Sequence, residues 1–315
     1  MQRRKIIIDC DPGQDDAVAM LLALASPELE VLGVTTVAGN VPLALTNRNA
    51  LIVRELAGRP DVPVVGGAER PLARALVTAE EVHGASGLDG VELPESHLPL
   101  DPRPAADFIV ERVMAHKPGT VTLLPVGPLT NIAAAMRAEP RLAGRLRGIV
   151  LMGGAIALGN TTPAAEFNII VDPEAAAIVF ASGADLTMLP LDVTHQAITT
   201  DERIAAIRAL GTRVGRVVAS WLTFYRLHDM DRYGMPGGPL HDPCAVAYVL
   251  WPELFAGRFC HVAIETEGTL TLGRTVVDWW PNKAKPTGEK PNCMVIDRID
   301  ADAFFHRLTE RLGRL

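Results

Sequence analysis

The regular alternation of short apolar runs with helical segments constrains the fold of this chain more than any other feature. Lys5–Asp9 and Leu29–Thr36 are rich in β-branched residues and predict buried strands, and the apolar segment Asp15–Ala25 between them predicts a helix. The pattern recurs, with further strands predicted at Val62–Val65, Thr120–Pro125, Gly148–Met152 and Leu186–Pro190 and further helices at Asn47–Leu56, Asn131–Ala138, Pro173–Ala181 and Arg216–Tyr225. Strands that alternate with helices favour a parallel sheet that is covered on both faces. We therefore expect an α/β fold in which a single domain, residues 1–315, has a mostly parallel central sheet flanked by helices.

Charge and hydropathy argue against several classes of function. The chain carries 30 basic and 37 acidic side chains, and its net charge of −7 gives no global electrostatic reason to bind nucleic acid or an anionic membrane. The basic residues Lys283, Lys285 and Lys290 form a short Pro- and Gly-rich run, which we interpret as a solvated loop. No apolar stretch is long enough to span a bilayer and no secretory signal is visible, so we expect a cytoplasmic protein.

The cysteines do not form a recognisable metal or redox motif. No two of them have the spacing of a Cys-x-x-Cys pair; they are Cys10, Cys244, Cys260 and Cys293. Reduced thiols in the core or near the site are therefore the expected state, in keeping with a cytosolic location.

A cluster of aspartates follows the first predicted strand directly. Asp9, Asp11, Asp15 and Asp16 lie within eight residues, and carboxylates held this closely repel unless a positive charge compensates them. A divalent cation with oxygen ligands, calcium or magnesium, is the usual compensator. Capping of the following helix would explain Asp15 and Asp16, but it does not explain Asp9 and Asp11. The cluster therefore predicts a metal site at the carboxyl end of the strand.

Several other motifs with similar residues do not fit. Pro12 and Gly13 break the ligand spacing of an EF-hand loop, and the segment is neither a P-loop nor a dinucleotide fingerprint. Ser86 lacks the spacing of a nucleophile elbow. A metal-dependent phosphatase with Asp9 or Asp11 as its nucleophile remains an alternative, although no convincing lysine and Ser/Thr pair is present to hold a phosphate.

The carboxylate of Asp242 has two interpretations. It follows His241 and precedes Pro243 at the start of the apolar segment Ala245–Leu250, which is a favourable position for a capping aspartate. It is equally a candidate metal ligand, and His241 taken alone would most often be a structural histidine. The local sequence leaves these alternatives open.

A polar strip follows the predicted strand Gly148–Met152. In an extended segment, Glu166 and Asn168 would project to the same side, and with Asn160 they would offer donors and acceptors suited to vicinal hydroxyl groups. An ordinary loop is the alternative, since glycine, asparagine, threonine and proline are turn formers.

Two further loops are expected near the site. After the strand Thr120–Pro125, backbone carbonyls are free to point at a ligand, and Thr130 or Asn131 is expected to cap the next helix. The polar, Gly- and Pro-rich segment Leu227–Leu240 is expected to be a loop over the active site.

Taken together, these motifs resemble the nucleoside hydrolase family. The segment Asp9-x-Asp11-Pro-Gly-x-Asp15-Asp16-Ala17 looks like the signature of that family. Further matching elements follow in order: Gly39-Asn40, Asn49-Ala50, His83-Gly84-x-x-Gly87-Leu88, Gly127-Pro128-Leu129-Thr130-Asn131, Met152-Gly153-Gly154, Glu166-Phe167-Asn168, Asp172-Pro173, Asp192-Val-Thr194-His195 and His241-Asp242-Pro243. Each element is weak alone, but the ordered set is specific and spans nearly all residues from Lys5 to Asp297. The resemblance implies hydrolysis of the N-glycosidic bond of ribonucleosides to ribose and free base.

The resemblance also implies a calcium ion and the residues around it. Its expected ligands are Asp11, Asp16, Asp242 and the main-chain carbonyl of Val126. A calcium-bound water, with its pKa lowered by the ion, would attack the ribose in an oxocarbenium-like transition state, and Asp11 would be its general base. His241 is expected to protonate the leaving base, because the pKa of a free imidazole lies near neutrality.

Substrate-binding roles follow from the same resemblance. Asp15, Asn168 and Asp242 are expected to hold the 2′- and 3′-hydroxyls, and Asn160 and Glu166 the 5′-hydroxyl. The remaining residues expected to contact the substrate are Asn40, His83, Met152 and Tyr225.

The base preference depends on fewer residues. His83 and His241 together look like the inosine-uridine and pyrimidine-preferring members, and several stretches resemble the pyrimidine-specific ribonucleoside hydrolases most closely, so we lean towards uridine and cytidine. The sequence does not say which of Tyr225, His228 and Tyr233 faces the base. His195 is expected to be structural.

The assembly and one competing function complete the expectations. The family resemblance implies a homodimer or homotetramer that acts on a small-molecule ribonucleoside. A non-catalytic nucleoside-binding protein is the other alternative, and it would be favoured only if Asp11 or the metal ligands were missing.

Overall fold

The structure, a computed structural model, describes residues 3–280 and 290–315, so the expectation for Lys283 and Lys285 lies outside the described residues. The strands are β1 (Arg4–Cys10), β2 (Leu29–Thr36), β3 (Val64–Gly66), β4 (Val121–Pro125), β5 (Gly148–Met152), β6 (Leu186–Leu189), β7 (Ile198–Thr199), β8 (Gly238–Pro239), β9 (Phe255–Cys260), β10 (Val262–Ile264), β11 (Thr275–Val277) and β12 (Cys293–Ile299). The helices are α1 (Gln14–Leu24), α2 (Leu43–Leu56), α3 (Glu80–His83), α4 (Ala105–Ala115), α5 (Thr130–Ala138), α6 (Leu142–Arg145), α7 (Phe167–Val171), α8 (Pro173–Phe180), α9 (Leu191–Thr194), α10 (Asp201–Arg208), α11 (Arg213–Tyr233), α12 (Pro243–Leu250) and α13 (Ala301–Leu312).

Eight strands form the central sheet in the order β3-β2-β1-β4-β5-β6-β12-β9. Neighbouring strands are parallel, except that the edge strand β9 runs antiparallel to β12. The expected α/β fold with a mostly parallel central sheet is therefore confirmed. The strand order reverses between β1 and β4, where Asp9 pairs with Pro125. Loops leave such neighbouring strands in opposite directions and open a crevice between them, which is where ligands bind in sheets of this kind.

Side-chain alternation along β1 builds a core on each face of the sheet. Ile6 and Ile8 pack into one buried cluster with α1, α2, α11, α12 and α13, whereas Ile7 packs into the other with α4, α5 and α8. A glycine permits one close approach, since an ideal Cβ on Gly33 of β2 would lie 2.4 Å from the ring of Phe108 in α4. Burial of a large apolar side chain such as that of Phe108 contributes about 1.5–3 kcal/mol to the free energy of folding.

The predicted elements named from periodicity form as expected, with one exception. Helix α11 continues to Tyr233, whereas a helix over Arg216–Tyr225 and a loop over Leu227–Leu240 were expected, so the first half of that loop prediction is wrong. The next residue on the buried face after Tyr225 is Asp229, which is buried although it is an aspartate. The apolar pattern in the sequence therefore stops at Tyr225, before the helix ends. The helix ends instead at Gly234, which adopts the left-handed conformation (φ 63°) that favours glycine.

The capping prediction for α5 is also wrong. Leu129 occupies the N-cap position, and no side chain caps the helix. The Thr130 hydroxyl instead donates to the carboxylate of Asp172 (2.7 Å), and the Asn131 amide donates to Asp9 Oδ1 (2.8 Å). Both side chains therefore form hydrogen bonds to residues that are distant in the sequence, and neither caps α5.

The cysteines and the apolar character of the helices were also the subject of expectations from the sequence. The cysteines are free and buried, as expected for reduced core thiols; they are Cys10, Cys244, Cys260 and Cys293. Within residues 3–280 and 290–315, no helix has the length and apolar character that crossing a membrane requires.

Candidate active site

A cavity of about 190 Å³ opens at the carboxyl ends of β1, β2, β4 and β5. The predicted site residues that line it are Asp15, Asn40, His83, Val126, Met152, Asn160, Glu166, Asn168, Tyr225, His241 and Asp242. The two others, Asp11 and Asp16, lie directly behind this lining and contact Asn40. Residues from loops that are far apart in sequence therefore meet at the point where the strand order reverses.

The Asp11 carboxylate is held in a narrow space between two glycines. Its Oδ2 accepts a hydrogen bond from the Asn40 backbone N–H (2.7 Å), while the buried Oδ1 has no hydrogen-bond partner among the described residues. An ideal Cβ would lie 2.1 Å from Oδ2 if placed on Gly39 and 2.4 Å from Oδ1 if placed on Gly127. Glycine at both positions is what admits this carboxylate. Burial and the neighbouring charge of Asp16 hold the pKa of Asp11 well above its usual range.

Three carboxylates form the group best placed to hold a cation. Ligand oxygens of Asp15, Asp16 and Asp242 lie within 4.8 Å of one another, and all three side chains are buried. Burial raises the pKa of Asp16 to about 8 and that of Asp242 well above its usual range, with the charge of Asp15 adding to both shifts. The predicted ligand Asp11 is not in this group of three, although its carboxyl contacts that of Asp16.

The residues fit a hard divalent metal ion. Buried carboxylates with raised pKa values and an unpartnered Asp11 oxygen are stabilised when a cation compensates their charge. Their donor atoms are all oxygen, which suits calcium or magnesium rather than a softer metal.

Asp9 lies one layer deeper than the cavity. It is fully buried, and its Oδ1 accepts hydrogen bonds from the side chains of Thr35 and Asn131. Burial raises its pKa to about 7. Asp11 is bonded to Asn40 in the cavity lining, whereas Asp9 is bonded to Thr35 and Asn131, which do not line the cavity. Asp9 is therefore the less accessible of the two candidate nucleophiles of the phosphatase alternative.

The two interpretations of Asp242 can now be separated. Asp242 occupies the N-cap position of α12 before Pro243, but its side chain makes no capping hydrogen bond and its backbone is already helical. Capping therefore does not explain this carboxylate. Asp16, by contrast, does accept a hydrogen bond from the Gly13 N–H (2.9 Å) at the start of α1.

The main-chain carbonyl of Val126 faces the side chain of Asn168. The Asn168 amide donates to this carbonyl (2.9 Å) and to that of Met152 (3.2 Å). Because a carbonyl oxygen has two lone pairs, the Val126 oxygen retains acceptor capacity for a cation. The amide contacts also fix Asn168 with its Oδ1 directed away from both carbonyls.

The polar strip does not adopt the extended conformation expected from the sequence. Glu166 is the N-cap of the short helix α7, and its carboxylate accepts from the backbone N–H groups of Asn168 (2.9 Å), Ile169 (3.3 Å) and Gly154 (2.8 Å). Burial nevertheless raises its pKa to about 7. Asn160 Oδ1 accepts from the Phe167 N–H (3.0 Å). A helix start, and not strand alternation, brings these side chains to the cavity.

The His241 ring is held from behind by a hydroxyl. Its Nδ1 lies 2.7 Å from Thr194 Oγ1, and its ring centroid lies 5.6 Å from that of His195. Burial lowers the pKa of His241 well below its usual range, and His195 contributes. His195, which was expected to be structural, also lines the cavity.

The long helix α11 brings aromatic and charged groups to the opposite wall. The Tyr225 hydroxyl donates to Asp15 Oδ2 (3.2 Å), and its ring stacks on His83. His228 lines the cavity as well, whereas the side chain of Tyr233 lies outside the described part of the chain. Tyr225 and His228 are therefore the described members of the expected trio that reach the cavity.

Sequence reasoning missed Gln14, Thr194 as a partner of His241, and Asp229. Asp229 lines the cavity one turn after Tyr225, and burial raises its pKa to about 7. The i, i+4 spacing from Tyr225 was a signal that could have found it. Gln14 and Thr194 act behind other side chains, so no local pattern marks them.

The chain was compared with known proteins. The family model described as inosine-uridine preferring nucleoside hydrolase matches residues 6–306. An uncharacterized protein of Schizosaccharomyces pombe is 51% identical over 312 residues, which cover 99% of each chain. The pyrimidine-specific ribonucleoside hydrolase RihA of Photobacterium profundum is 48% identical over 98% of this chain and 99% of its own. A solved plant nucleoside hydrolase, PpNRh1, superposes with a TM-score of 0.91 at 34% identity, covering 98% of this chain and 99% of its own. The protein therefore belongs to the inosine-uridine preferring nucleoside hydrolase family.

Proposed function

We propose that this protein hydrolyses the N-glycosidic bond of ribonucleosides, with uridine and cytidine as preferred substrates and inosine as a further one, in a calcium-dependent reaction. Family membership supports the reaction class. One observation carries the finer proposal. Asp15 and Asp242 of the acidic group line the same cavity as polar side chains and two buried histidines, and Asp16 lies directly behind them.

The proposed calcium ligands are Asp11, Asp16, Asp242 and the Val126 carbonyl. Support comes from the free Asp11 Oδ1, the clustered oxygens of Asp16 and Asp242, and the remaining lone pair of Val126. When bound, calcium compensates the carboxylates and lowers the pKa of water in its shell.

Asp11 is proposed as the general base. Its Oδ1 is free to take a proton from the attacking water, while Oδ2 remains bonded to the Asn40 N–H and keeps the carboxylate in one orientation. Gly39 and Gly127 restrict any rotation of the group. The water attacks the anomeric carbon as the bond to the base nitrogen breaks, with oxocarbenium character in the transition state.

The ribose hydroxyls are proposed to lie between two sets of acceptors. Asp15, Asp242 and the Asn168 Oδ1 would hold the 2′- and 3′-hydroxyls, and Glu166 with Asn160 would hold the 5′-hydroxyl. Glu166 already accepts from three backbone N–H groups, so its geometry is set before substrate binds.

His241 is proposed to protonate the leaving base. Its pKa is depressed, so the ring is neutral at rest. It must take up a proton before it can act as the acid, and the resulting imidazolium then gives that proton to the base and returns to its neutral form. Thr194 occupies Nδ1, which leaves Nε2 as the nitrogen available to the base.

The base preference rests on the relatives. A pyrimidine-specific ribonucleoside hydrolase is 48% identical along almost the whole chain, which supports uridine and cytidine. A single contact in the base pocket discriminates between bases by about 1–3 kcal/mol, so the relative rates with uridine, cytidine and inosine are the direct measure of the preference.

The competing functions are not favoured. A phosphatase would need a lysine to hold the phosphate, and no lysine is among the described residues that line the cavity. A binding protein without activity would need to lack Asp11 or the acidic group, and both are present.

The test is release of reducing sugar from uridine, cytidine and inosine, each with and without removal of calcium by a chelator. We expect calcium-dependent ribose release, fastest for the pyrimidine nucleosides. Asp11→Ala should abolish turnover in a protein that still folds. Turnover that survives complete removal of the metal, or near-normal turnover by Asp11→Ala with calcium bound, would overturn the mechanism.

The organisation of the protein is part of the same proposal. Residues 1–315 would form a single hydrolase domain, and the family resemblance implies that it assembles as a homodimer or homotetramer. The cytoplasmic location is proposed from the sequence pattern. Light scattering on the purified protein and fractionation of cells are the corresponding measurements.

A further inference from the structure

We infer that Gln14 holds His83 in the tautomer that carries its proton on Nδ1, so that Nε2 presents a hydrogen-bond acceptor to an N–H group of the base. The inference deepens the proposed function, since the identity of the ligand rests on it. The tautomer of His83 is inferred only from contacts within the protein.

The contacts of Gln14 define the orientation of its amide. One end of the amide lies 2.9 Å from the carbonyl oxygen of His83 and 3.1 Å from that of Asp89. Carbonyl oxygens only accept hydrogen bonds, so this end must be the NH₂ group. The other end is therefore the oxygen Oε1, and Gln14 is completely buried, with no water to exchange for these partners.

The orientation of Gln14 then decides the tautomer of His83. Oε1 lies 2.8 Å from His83 Nδ1, and because an amide oxygen has no hydrogen, Nδ1 must be the donor. Burial lowers the pKa of His83 to about 3, helped by His228, so the ring is neutral. A neutral imidazole protonated on Nδ1 has a bare Nε2.

The ring has little freedom to turn over. Gly13 packs against the edge of the ring, since an ideal Cβ at that position would lie 2.3 Å from Nδ1. Tyr225 stacks on its face, with centroids 5.4 Å apart and planes inclined by 28°. His83 lines the cavity while Nδ1 is directed at Gln14, so Nε2 is the nitrogen left for the cavity.

The two buried histidines thereby have different roles. His83 cannot deliver a proton to the leaving base, because its single N–H is bonded to Gln14. It accepts a hydrogen bond instead, and the bases that offer one are uracil through N3–H, cytosine through its amino group and hypoxanthine through N1–H. Gln14 is a positioning residue for this recognition. It directly precedes Asp15 and Asp16 at the start of α1, but it is not part of the acidic cluster.

The tautomer can be measured without substrate. Long-range ¹H–¹⁵N correlation spectra of the full-length protein labelled in histidine distinguish a protonated from a bare ring nitrogen, and His83→Asn identifies the signals of His83. We expect a protonated Nδ1 and a bare Nε2 in the unmodified protein. A protonated Nε2, with Nδ1 bare or also protonated, would overturn the inference.

Two variants of Gln14 separate positioning from simple packing. Gln14→Leu removes the oxygen opposite Nδ1 and should abolish the preference for a proton there. Gln14→Glu, protonated so that its hydroxyl donates to the carbonyl oxygen of His83 or Asp89, keeps an oxygen opposite Nδ1 and should retain the proton there. An unchanged Nδ1–H signal in a folded Gln14→Leu protein would show that Gln14 does not set the tautomer.

Recognition of the base is tested with uridine and 3-methyluridine, which lacks the N3–H group. We expect N3-methylation to lower kcat/KM of the unmodified protein about tenfold or more, since it leaves a buried acceptor unpaired. In Gln14→Leu, the ratio of kcat/KM for uridine to kcat/KM for 3-methyluridine should be smaller than in the unmodified protein. An equal ratio in both proteins would mean that the methyl group only clashes, and the recognition step would be wrong. If no nucleoside releases ribose at all, the proposed function fails, while the spectra still decide the role of Gln14.

Discussion

The hydroxyl of Thr194, at the end of α9, lies 2.7 Å from Nδ1 of His241, at the start of the segment that carries Asp242. The same hydroxyl is 3.5 Å from the Leu191 carbonyl, so its stronger hydrogen bond is with the histidine. This contact joins two loops that are 47 residues apart and orients the proposed acid.

Thr194→Val should therefore impair leaving-group protonation. Valine has the shape of threonine but no hydroxyl, so the His241 ring loses one hydrogen bond, a loss of about 1–2 kcal/mol that corresponds to about a tenfold lower kcat/KM for uridine. p-Nitrophenyl riboside needs no proton on its leaving group, and its hydrolysis should change far less. Equal losses on both substrates would contradict the assignment of His241 as acid.

Gly127→Ala should inactivate the protein through the proposed base. Its Cβ would lie 2.4 Å from Asp11 Oδ1, so the carboxylate or the loop must move. We expect at least a hundredfold loss of kcat, comparable to the loss of a misplaced catalytic group. Gly144→Ala, where an added Cβ meets nothing within 4 Å, is the matched control and should leave turnover unchanged. A Gly127→Ala protein with normal turnover would show that Asp11 does not need its observed position.

The buried carboxyl groups of the metal-free protein should stabilise the fold less as pH rises. Burial raises the pKa of Asp16 from 3.8 to about 8 and that of Glu166 from 4.5 to about 7. These groups stay protonated in the folded state but ionise when the chain unfolds, so the stability that they contribute is fully present below about pH 4 and is lost progressively up to about pH 8. Each group contributes up to about 1.4 kcal/mol per pH unit within its window.

Calcium should reverse this trend, because it binds the ionised carboxylates. Melting temperatures measured across the pH range, with calcium and with a chelator, are the test. The stabilisation by calcium should grow with pH and should be reduced in Asp16→Asn. A chelated protein whose stability changes with pH between about pH 5 and about pH 8 in the same way as that of chelated Asp16→Asn would contradict the raised pKa of Asp16.

Glu166→Gln should both destabilise the α7 region and weaken ribose binding. An amide offers one acceptor oxygen, so its NH₂ group would face the N–H of Gly154 or of Asn168. Leaving a buried donor without an acceptor costs about 1–3 kcal/mol, and we expect a lower melting temperature and a higher KM for uridine. The exposed Glu69→Gln is the control. The ratio of kcat/KM for uridine to kcat/KM for 5′-deoxyuridine is measured in both proteins. If this ratio is the same in the variant and in the unmodified protein, Glu166 does not contact the 5′-hydroxyl.

The local parts of the site were predictable from the sequence. The run of aspartates after the apolar strand β1 predicted a charged strand end, and the alternation of strands and helices predicted a parallel sheet that gathers such ends at one edge. Asn168 and Glu166 were found as members of a polar strip, although they reach the cavity from a helix start and not from an extended segment.

Other features depend on contacts between distant segments. Asp9 and Asp11 have the same side chain and lie two residues apart, yet Asp9 is bonded to Asn131 beneath the cavity, whereas Asp11 is bonded to Asn40, which lines it. Asp229 interrupts the apolar pattern, so the end of α11 was misplaced. Gln14 could not be recognised at all, because its partners His83 and Asp89 are more than 60 residues away.

The amino-acid sequence alone determined the α/β fold, the position of the acidic strand end and the family, because periodicity and ordered motifs are local properties of the chain. Only the tertiary structure decided which of several chemically similar groups is free to react. Burial and hydrogen bonds set the protonation state and orientation of each group, and these are supplied by residues that the fold brings together from distant loops.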